Sequence, residues 1–308
     1  MIKSEFRAMG SHIIIMVDSP FPQAAVEIQQ APIWFENWEQ SFSRFRVDSE
    51  LNRLNQHQGE PFQVSTDLWE VLQLALRTRQ ESLGLVTPAV LDMLEFVGYQ
   101  QSFENIVDNK TIRSPIGLTS RLVTLDEVVL EPSTQTVLLP AGVRLDFGGV
   151  AKGWSAHQAM LRLAAFGPTL VNAGGDIAIS DLMQNGEAWH IGITDPVHPD
   201  KNLEIMELGG AGVATSGKDY RHWHQEGVMR HHIIDPRTGL PAETDVVCAT
   251  VVAPSLVEAE MVAKAIFILG SLQGLAWLEN HTDYAGYLVL DDGKTICNDE
   301  MEKYLCRK

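Results

Sequence analysis

Residues 6–17 alternate well enough between apolar and polar side chains to predict a first strand. Residues 22–40 change to a helical period, with Trp34, Phe35 and Trp38 on one apolar side. "SFSRFRVDSELNRLN" follows, where Asp48 or Ser49 is placed to cap a short helix. Residues 66–83 predict a second amphipathic helix through Leu68, Val71, Leu72, Ala75 and Leu76. Residues 122–145 predict short strands parted by turn residues (Pro132, Pro140, Gly142). "LDFGGVAKGWSAHQAMLRLAAFG" predicts a strand, a glycine turn and a helix ending near Gly167. "PTLVNAGGDIAIS" and "WHIGITDP" predict strands, and "GVATSGKDYRHW" with "RHHIIDPRTGLPA" predicts a hairpin. Residues 247–270 run from strand to helix and stop at Gly270, and residues 286–290 close the chain with a strand. Meanders mixed with long helices predict an α+β fold, and no internal repeat or low-complexity tract is visible.

Bulk properties narrow the function. The 308 residues carry a formal charge of −17 and no basic run, which excludes a nucleic-acid surface built on clustered Lys and Arg. Cys248, Cys297 and Cys306 show no metal-type spacing, and an odd, scattered count fits a reducing compartment. The apolar run from Ile13 to Val17 is too short for a membrane span or a signal core, and no cysteine near it offers a lipid anchor. The expectation is a cytoplasmic protein without a transmembrane segment, or an exported one whose signal peptide has been removed.

Four turns carry the candidate chemistry. In "DFGGVAKG" Asp146 precedes two glycines and Lys152 falls on the first helical turn, where backbone N–H groups and a mobile cation suit a phosphate. A tight turn with a solvent-facing lysine explains the same letters. "NAGGD" offers Asn172, Gly174, Gly175 and Asp176 as a close-approach loop, or a plain bulge or turn. "ATSG" offers the hydroxyls of Thr215 and Ser216 beside Gly217, or turn chemistry alone. "HHIIDPRTG" is accounted for from Asp235 to Gly239 by a type I turn. His231 and His232 are not, and on a strand they point to opposite faces. A fifth feature lies in the last long helix. Glu260 and Lys264, four apart and so on one face, stand among Val257, Ala259, Met261, Val262, Ala263, Ala265 and Ile266. A simple surface pair would be worth a few tenths of a kcal/mol; the apolar neighbours point to burial instead.

The order and spacing of "AMGSHIIIMV", "FSRFRVDSELNRLN", "DFGGVAKGW", "LVNAGGDI", "WHIGITDP", "VATSGKDYR", "HHIIDPRTGLPA" and "VVAPS…AEMVAKAIFILG" resemble the ApbE-like flavin transferase family over roughly residues 6–290. The resemblance implies a single transferase domain spanning 1–308, an α+β fold related to tunnelling folds, and an FAD cleft between two interleaved lobes. It implies an FAD:protein FMN transferase that uses Mg2+, moves FMN onto a Thr or Ser of a target protein and releases AMP. Some members instead hydrolyse FAD.

Carried over position by position, Met9 matches a methionine beside the flavin, and Phe45 stands where a tyrosine is common. Asp146, Lys152, Gly174, Gly175, Thr215, Ser216 and Gly217 match FAD contacts. Gly149 falls where a backbone carbonyl reaches the metal, and His232 matches a candidate general base. Departures cluster at the metal. Glu260 and Lys264 occupy the aspartate and threonine places of "A-D-x-x-A-T-A". Thr87 and Ala89 replace the aspartate and threonine of "G-x-F-D-P-T", and His157 stands for an aspartate. An ammonium cannot ligate magnesium. The expectation is therefore that Lys264, paired with Glu260, occupies the metal's place, and that Lys264 and Lys152 balance phosphate charge. Two alternatives follow from the lost carboxylates: a catalytically weakened FAD-binding carrier or sensor, and a pocket for another nucleotide or none. The acceptor motif, a Ser or Thr followed by Gly/Ala-Ala-Thr, is not found in the chain, so self-flavinylation is not suggested.

Overall fold

A computed structural model of the chain describes residues 1–106, 125–225 and 227–306. The alternating stretch at the N-terminus folds as a hairpin rather than one strand. Ile2–Ala8 pairs antiparallel with Ser11–Val17, and Met9 (φ 51) and Gly10 (φ 64) form the two-residue turn between them. Two consecutive positive φ values match the right-handed twist of the flanking strands. Ile13, Ile15 and Val17 point inward and are fully buried, while His12 is exposed.

The chain divides into two compact units. The first comprises Met1–Phe35, Lys152–Tyr220 and Thr244–Lys308; the second comprises Glu36–Ala151 and Arg221–Glu243. The first unit is organised by an eight-stranded antiparallel sheet. Its strand order is Ile2–Ala8, Ser11–Val17, Thr169–Ala173, Asp176–Ile179, Gly212–Gly217, Val246–Ala253, Ala285–Leu290, Thr295–Cys297.

Both faces of this sheet are covered. Val213, Cys248, Val252, Tyr287 and Val289 share one face with Trp189, Ile193, Met206 and Leu208 of a two-stranded ribbon, Trp189–Thr194 with Asn202–Leu208. Their opposite-parity neighbours face the helix Leu256–Glu279: a Cβ at Gly212 would strike the backbone of Leu256, and one at Gly286 would strike Leu278. Double coverage explains why Val246–Ala253 is a continuous apolar run instead of an alternating one.

The helix Leu256–Glu279 starts at Ser255, whose hydroxyl accepts from the Glu258 N–H and donates to the Glu258 carboxylate. By length and composition alone it is apolar enough to cross a membrane. Here it is the core helix of the sheet, with Leu256, Ala259, Val262, Ala263, Ile266 and Phe267 buried. Gly270 (φ 79) breaks the helical path, which is where the sequence placed its end.

The second unit holds the helices Glu50–Gln56, Thr66–Glu81 and Leu91–Phe96 and three small sheets. Of the two candidates, Ser49 caps the first helix by accepting from Asn52 N–H. Leu94, Val97, Tyr99, Trp223 and Ile234 form its local apolar cluster, and Trp223 Nε1 donates to the Val97 carbonyl at 2.8 Å. Of the 122–145 stretch, Val129–Glu131 and Thr136–Leu138 are strands; residues 122–124 lie outside the described residues.

Beyond the N-terminal hairpin, and the strand Thr295–Cys297 that follows the one expected to close the chain, three expectations need correction. Residues 22–40 are interrupted: Pro22–Glu27, a short 3-10 turn, then Ala31–Phe42. The "LDF" segment is not a strand and pairs with none among the described residues. Asn55 bonds both the N–H and the carbonyl of Leu145 (2.8 Å each), and Asp146 N–H donates to Pro88 O at 2.8 Å, so a side chain and a loop satisfy the backbone that a ladder would have satisfied. The third concerns the "VATSG" segment, which is a strand of the central sheet; the hairpin is His222–Gln225 with Val228–His231.

Candidate functional site

Within the first unit, two carboxylate–ammonium pairs lie together. Glu260 is at the buried face of the core helix, and its Oε1 lies 3.0 Å from Lys264 Nζ one turn on. Asp176 opens the strand Asp176–Ile179 and pairs with Lys152 on the first turn of the helix Ala151–Ala164. Gly153, next to Lys152, joins the pairs: a Cβ there would collide with Glu260 Oε2. Glu260 Oε2 is buried and has no hydrogen-bond partner among the described residues. Burial pushes the Glu260 carboxyl above its ordinary range while Lys264 pulls it down, with Asp176 and Lys152 adding smaller opposed effects.

The exposures are ordered. The side chains of Lys264 and Lys152 are 16% and 17% exposed, and those of Glu260 and Asp176 are 4% and 7% exposed. The acids therefore sit behind the cations. The i,i+4 pair read from the sequence is thus a buried one.

Around this pair of pairs, Gly174 (φ 66) and Gly175 (φ 99) form the two-residue turn between Thr169–Ala173 and Asp176–Ile179. The Gly175 N–H donates to Asn172 Oδ1 at 2.8 Å. Gly174 is needed for close approach, since a Cβ would lie 2.8 Å from Ser11 Oγ; Gly175 looks into open space. Thr215 and Ser216 are separated by strand alternation. Ser216 is buried on the face that carries the core helix, whereas Thr215 Oγ1 is 2.9 Å from Thr250 Oγ1 on the other face. Gly217 ends that strand against Cys248. Met9 stands at the hairpin turn described above. His157 lies on the helix Ala151–Ala164; burial lowers its pKa, opposed by Glu258, and its Nδ1 has no hydrogen-bond partner among the described residues. Ser155 Oγ on that helix is in the same condition.

Within the second unit, Asp146 is buried. Its Oδ1 accepts the Gly148 N–H at 2.8 Å and its Oδ2 is 2.8 Å from Arg44 Nε. The Arg44 guanidinium stacks over Phe45 (4.2 Å to the ring centroid) and Tyr99 (4.5 Å). Phe45 is 39% exposed. Gly149 is in the turn that follows Asp146, and Thr87 Oγ1 accepts the Ala89 N–H at 3.3 Å in a local turn.

The two histidines separate clearly. His231 is buried, with Nε2 3.1 Å from the Ala242 carbonyl and Nδ1 accepting the Ile233 N–H, a structural role. His232 is in a bend after the strand, not on it, and is partly exposed. Asp235 accepts the N–H and guanidinium of Arg237, which accounts for the "DPRTG" turn.

Sequence reading leaves out Arg44 and Tyr99 as site residues and names Asp176 only as part of a close-approach loop. Arg44 and Asp176 lie inside stretches already singled out, and Tyr99 lies in none.

Residues 9–288 match the model of the ApbE family. Curated FAD:protein FMN transferases of Vibrio cholerae and Treponema pallidum are 31% and 30% identical to the chain. They cover 86% and 92% of it, and the alignments span 80% and 83% of their own lengths. Among solved structures, the ApbE protein of Thermotoga maritima superposes with a TM-score of 0.87 at 23% identity. The flavin transferase ApbE of Vibrio cholerae superposes with 0.81 at 26%. Each covers 99% of both chains.

Proposed function

The chain belongs to the ApbE family and is a transferase of that kind, and we infer that it takes FAD as donor, moves the FMN half onto a Ser or Thr hydroxyl of a target protein and releases AMP. We read residues 1–308 as one transferase domain. The observation that supports this reading best is the pair of lysines, Lys152 and Lys264, each set on a more deeply buried carboxylate. A diphosphate needs fixed positive charge on one side, and this arrangement holds two ammonium groups in place.

In the reaction the acceptor oxygen bonds to the FMN phosphorus, and the phosphorus–oxygen bond to the AMP phosphate breaks. The electron pair leaves on AMP, and the acceptor proton passes to a base. His232 is the residue assigned to that base. Phe45 offers a stacking face for an aromatic ring system. The FAD contacts that the resemblance assigns are Met9, Gly174, Gly175, Ser216 and Gly217 in the first unit and Asp146 and Thr87 in the second. Thr215 is assigned a weaker part, since its hydroxyl is engaged with Thr250.

Magnesium is the metal the resemblance implies, with Glu260 and the Gly149 carbonyl as ligands. The residues at 260 and 264 do not fit it. Magnesium demands oxygen donors in an octahedral shell. One oxygen of Glu260 is taken by Lys264, and the other is buried against Gly153. Lys264 itself brings an ammonium.

The test is incubation with FAD and a Ser/Thr-containing acceptor protein, read by AMP release and by covalent flavin fluorescence on the acceptor. AMP release with flavin on the acceptor supports the transferase. AMP release with free FMN alone marks a hydrolase. Tight FAD retention without AMP marks the second reading, an FAD carrier, which the missing carboxylates at 87 and 157 and the missing hydroxyl at 264 favour.

A further inference from the structure

The four charged side chains at 152, 176, 260 and 264 cancel one another in number but not in position. Both acids are nearly sealed off, and both lysine side chains are more exposed than the acids they pair with. Such a cluster repels a divalent cation and receives an anion. We propose that Lys264 on Glu260 and Lys152 on Asp176 form a built-in, magnesium-independent seat for the diphosphate of the nucleotide, with the two carboxylates as positioning residues. The naming of the ligand rests on the transferase reading; the seat itself does not.

The parts explain one another. A lysine side chain has many rotamers, and fixing one near a ligand costs conformational entropy. A buried carboxylate one helical turn away fixes Lys264 in advance. Lys152 is fixed likewise by Asp176, which is itself placed by the glycine turn 174–175. Gly153 is the smallest residue that lets Glu260 reach this position, because any Cβ would occupy the space of Oε2. The orphaned Oε2 faces Gly153, where a Cβ would clash with it. An ammonium donates three hydrogen bonds, so each lysine keeps donors for phosphate oxygens after pairing with its acid.

The probe is ADP, which carries a diphosphate and no flavin. Its binding to the full chain is measured by titration calorimetry in EDTA and again in excess magnesium chloride. Wild type is expected to bind ADP in EDTA, with magnesium changing the affinity by less than about threefold. Lys264→Met is expected to weaken binding about tenfold or more, the loss of one charge-assisted hydrogen bond, and magnesium is not expected to restore it. Lys264→Thr with Glu260→Asp is expected to convert ADP binding to magnesium dependence.

Circular dichroism checks the fold of each variant. If Lys264→Met does not fold, Glu260→Met with Lys264→Met removes the pair together and carries the same comparison. Wild-type binding that requires magnesium, or ADP affinity unchanged by loss of Lys264, overturns the proposal. FAD cleaved only with magnesium sinks the seat and leaves the transferase. ADP bound in EDTA by a chain that does not cleave FAD sinks the transferase and leaves the seat.

Discussion

Replacing Lys264 by methionine leaves the Glu260 carboxylate buried with its nearest cation gone. The stem length and helix propensity are nearly unchanged, so the loss isolates the charge. Breaking a buried ion pair from one side costs about 3–5 kcal/mol in well-sealed cases, because the remaining ion has no compensation. The Lys264 side chain is not fully buried and Lys152 still acts on Glu260, so the low end, about 3 kcal/mol, is expected. Replacing both residues by methionine removes the stranded charge and returns apolar volume to an apolar helix; the double variant is expected within about 1 kcal/mol of wild type. Urea unfolding followed by tryptophan fluorescence measures all three.

The pH dependence supplies a second, independent sign. Burial already raises the Glu260 carboxyl above 4.5, and without Lys264 it rises further. Between the unfolded value and that raised value the folded variant holds more protons than the unfolded chain, so its stability increases as pH falls. The deficit of Lys264→Met against wild type therefore narrows from neutral pH toward about pH 5. A double variant as unstable as the single one, or a deficit indifferent to pH, refutes the buried-charge argument.

His157 gives the opposite slope. Burial lowers its pKa below 6.5, so on acidification the unfolded chain takes up a proton before the folded one, and stability falls below about pH 6.5. His157→Gln is expected to flatten the decline of melting temperature between about pH 7 and about pH 5.5; an unchanged slope counts against the assignment. The Cys248 thiol, pushed up to about 12 mainly by burial, is expected to resist iodoacetamide in the native protein and to react only after denaturation, as peptide mass spectrometry would show. Gly270→Ala forces a Cβ onto a backbone at φ 79 and within 3.1 Å of Asp245 Oδ1, which accepts the Ser271 N–H. A loss of about 1 kcal/mol or more is expected by the same urea assay, and a neutral result would mean that the break in the helix is not required.

Local rules carried the sequence reading where the cause was local. Ser49 capping, the "DPRTG" turn, the end of the core helix at Gly270 and the pairing of Glu260 with Lys264 all depend on residues within a few positions of one another. The alternating run 6–17 was read as one strand because alternation continues through a two-residue hairpin turn; the Met-Gly pair was the missed signal, glycine being the residue most at ease with positive φ. What failed was non-local. Nothing near Leu145 announces that Asn55 will satisfy its backbone, and nothing near Asp146 announces Arg44 as its partner. Asp176 was noticed for its place in a glycine turn, but its pairing with Lys152 arises only when strand and helix pack. The split of Thr215 from Ser216 was available in principle, since neighbours on a strand face opposite ways once the segment is known to be a strand.

The proposed exchange of a mobile divalent ion for a fixed ammonium has a definite physical consequence. A lysine brings one charge where magnesium brings two, so it gives roughly half the direct electrostatic stabilisation to a leaving phosphate at equal distance and dielectric. It also gives up the rigid octahedral template through which a metal orients oxygens. In exchange, no ion must be recruited or partly dehydrated at each encounter, and orientation comes from Glu260, held through the helix itself. The second lysine then matters more than it would beside a metal: Lys152 supplies the other unit of charge, and Asp176 fixes where it is applied. Such a site trades peak charge for independence from the metal supply, and the four residues at 152, 176, 260 and 264 become a unit in which no single member can be removed without displacing the function of the others.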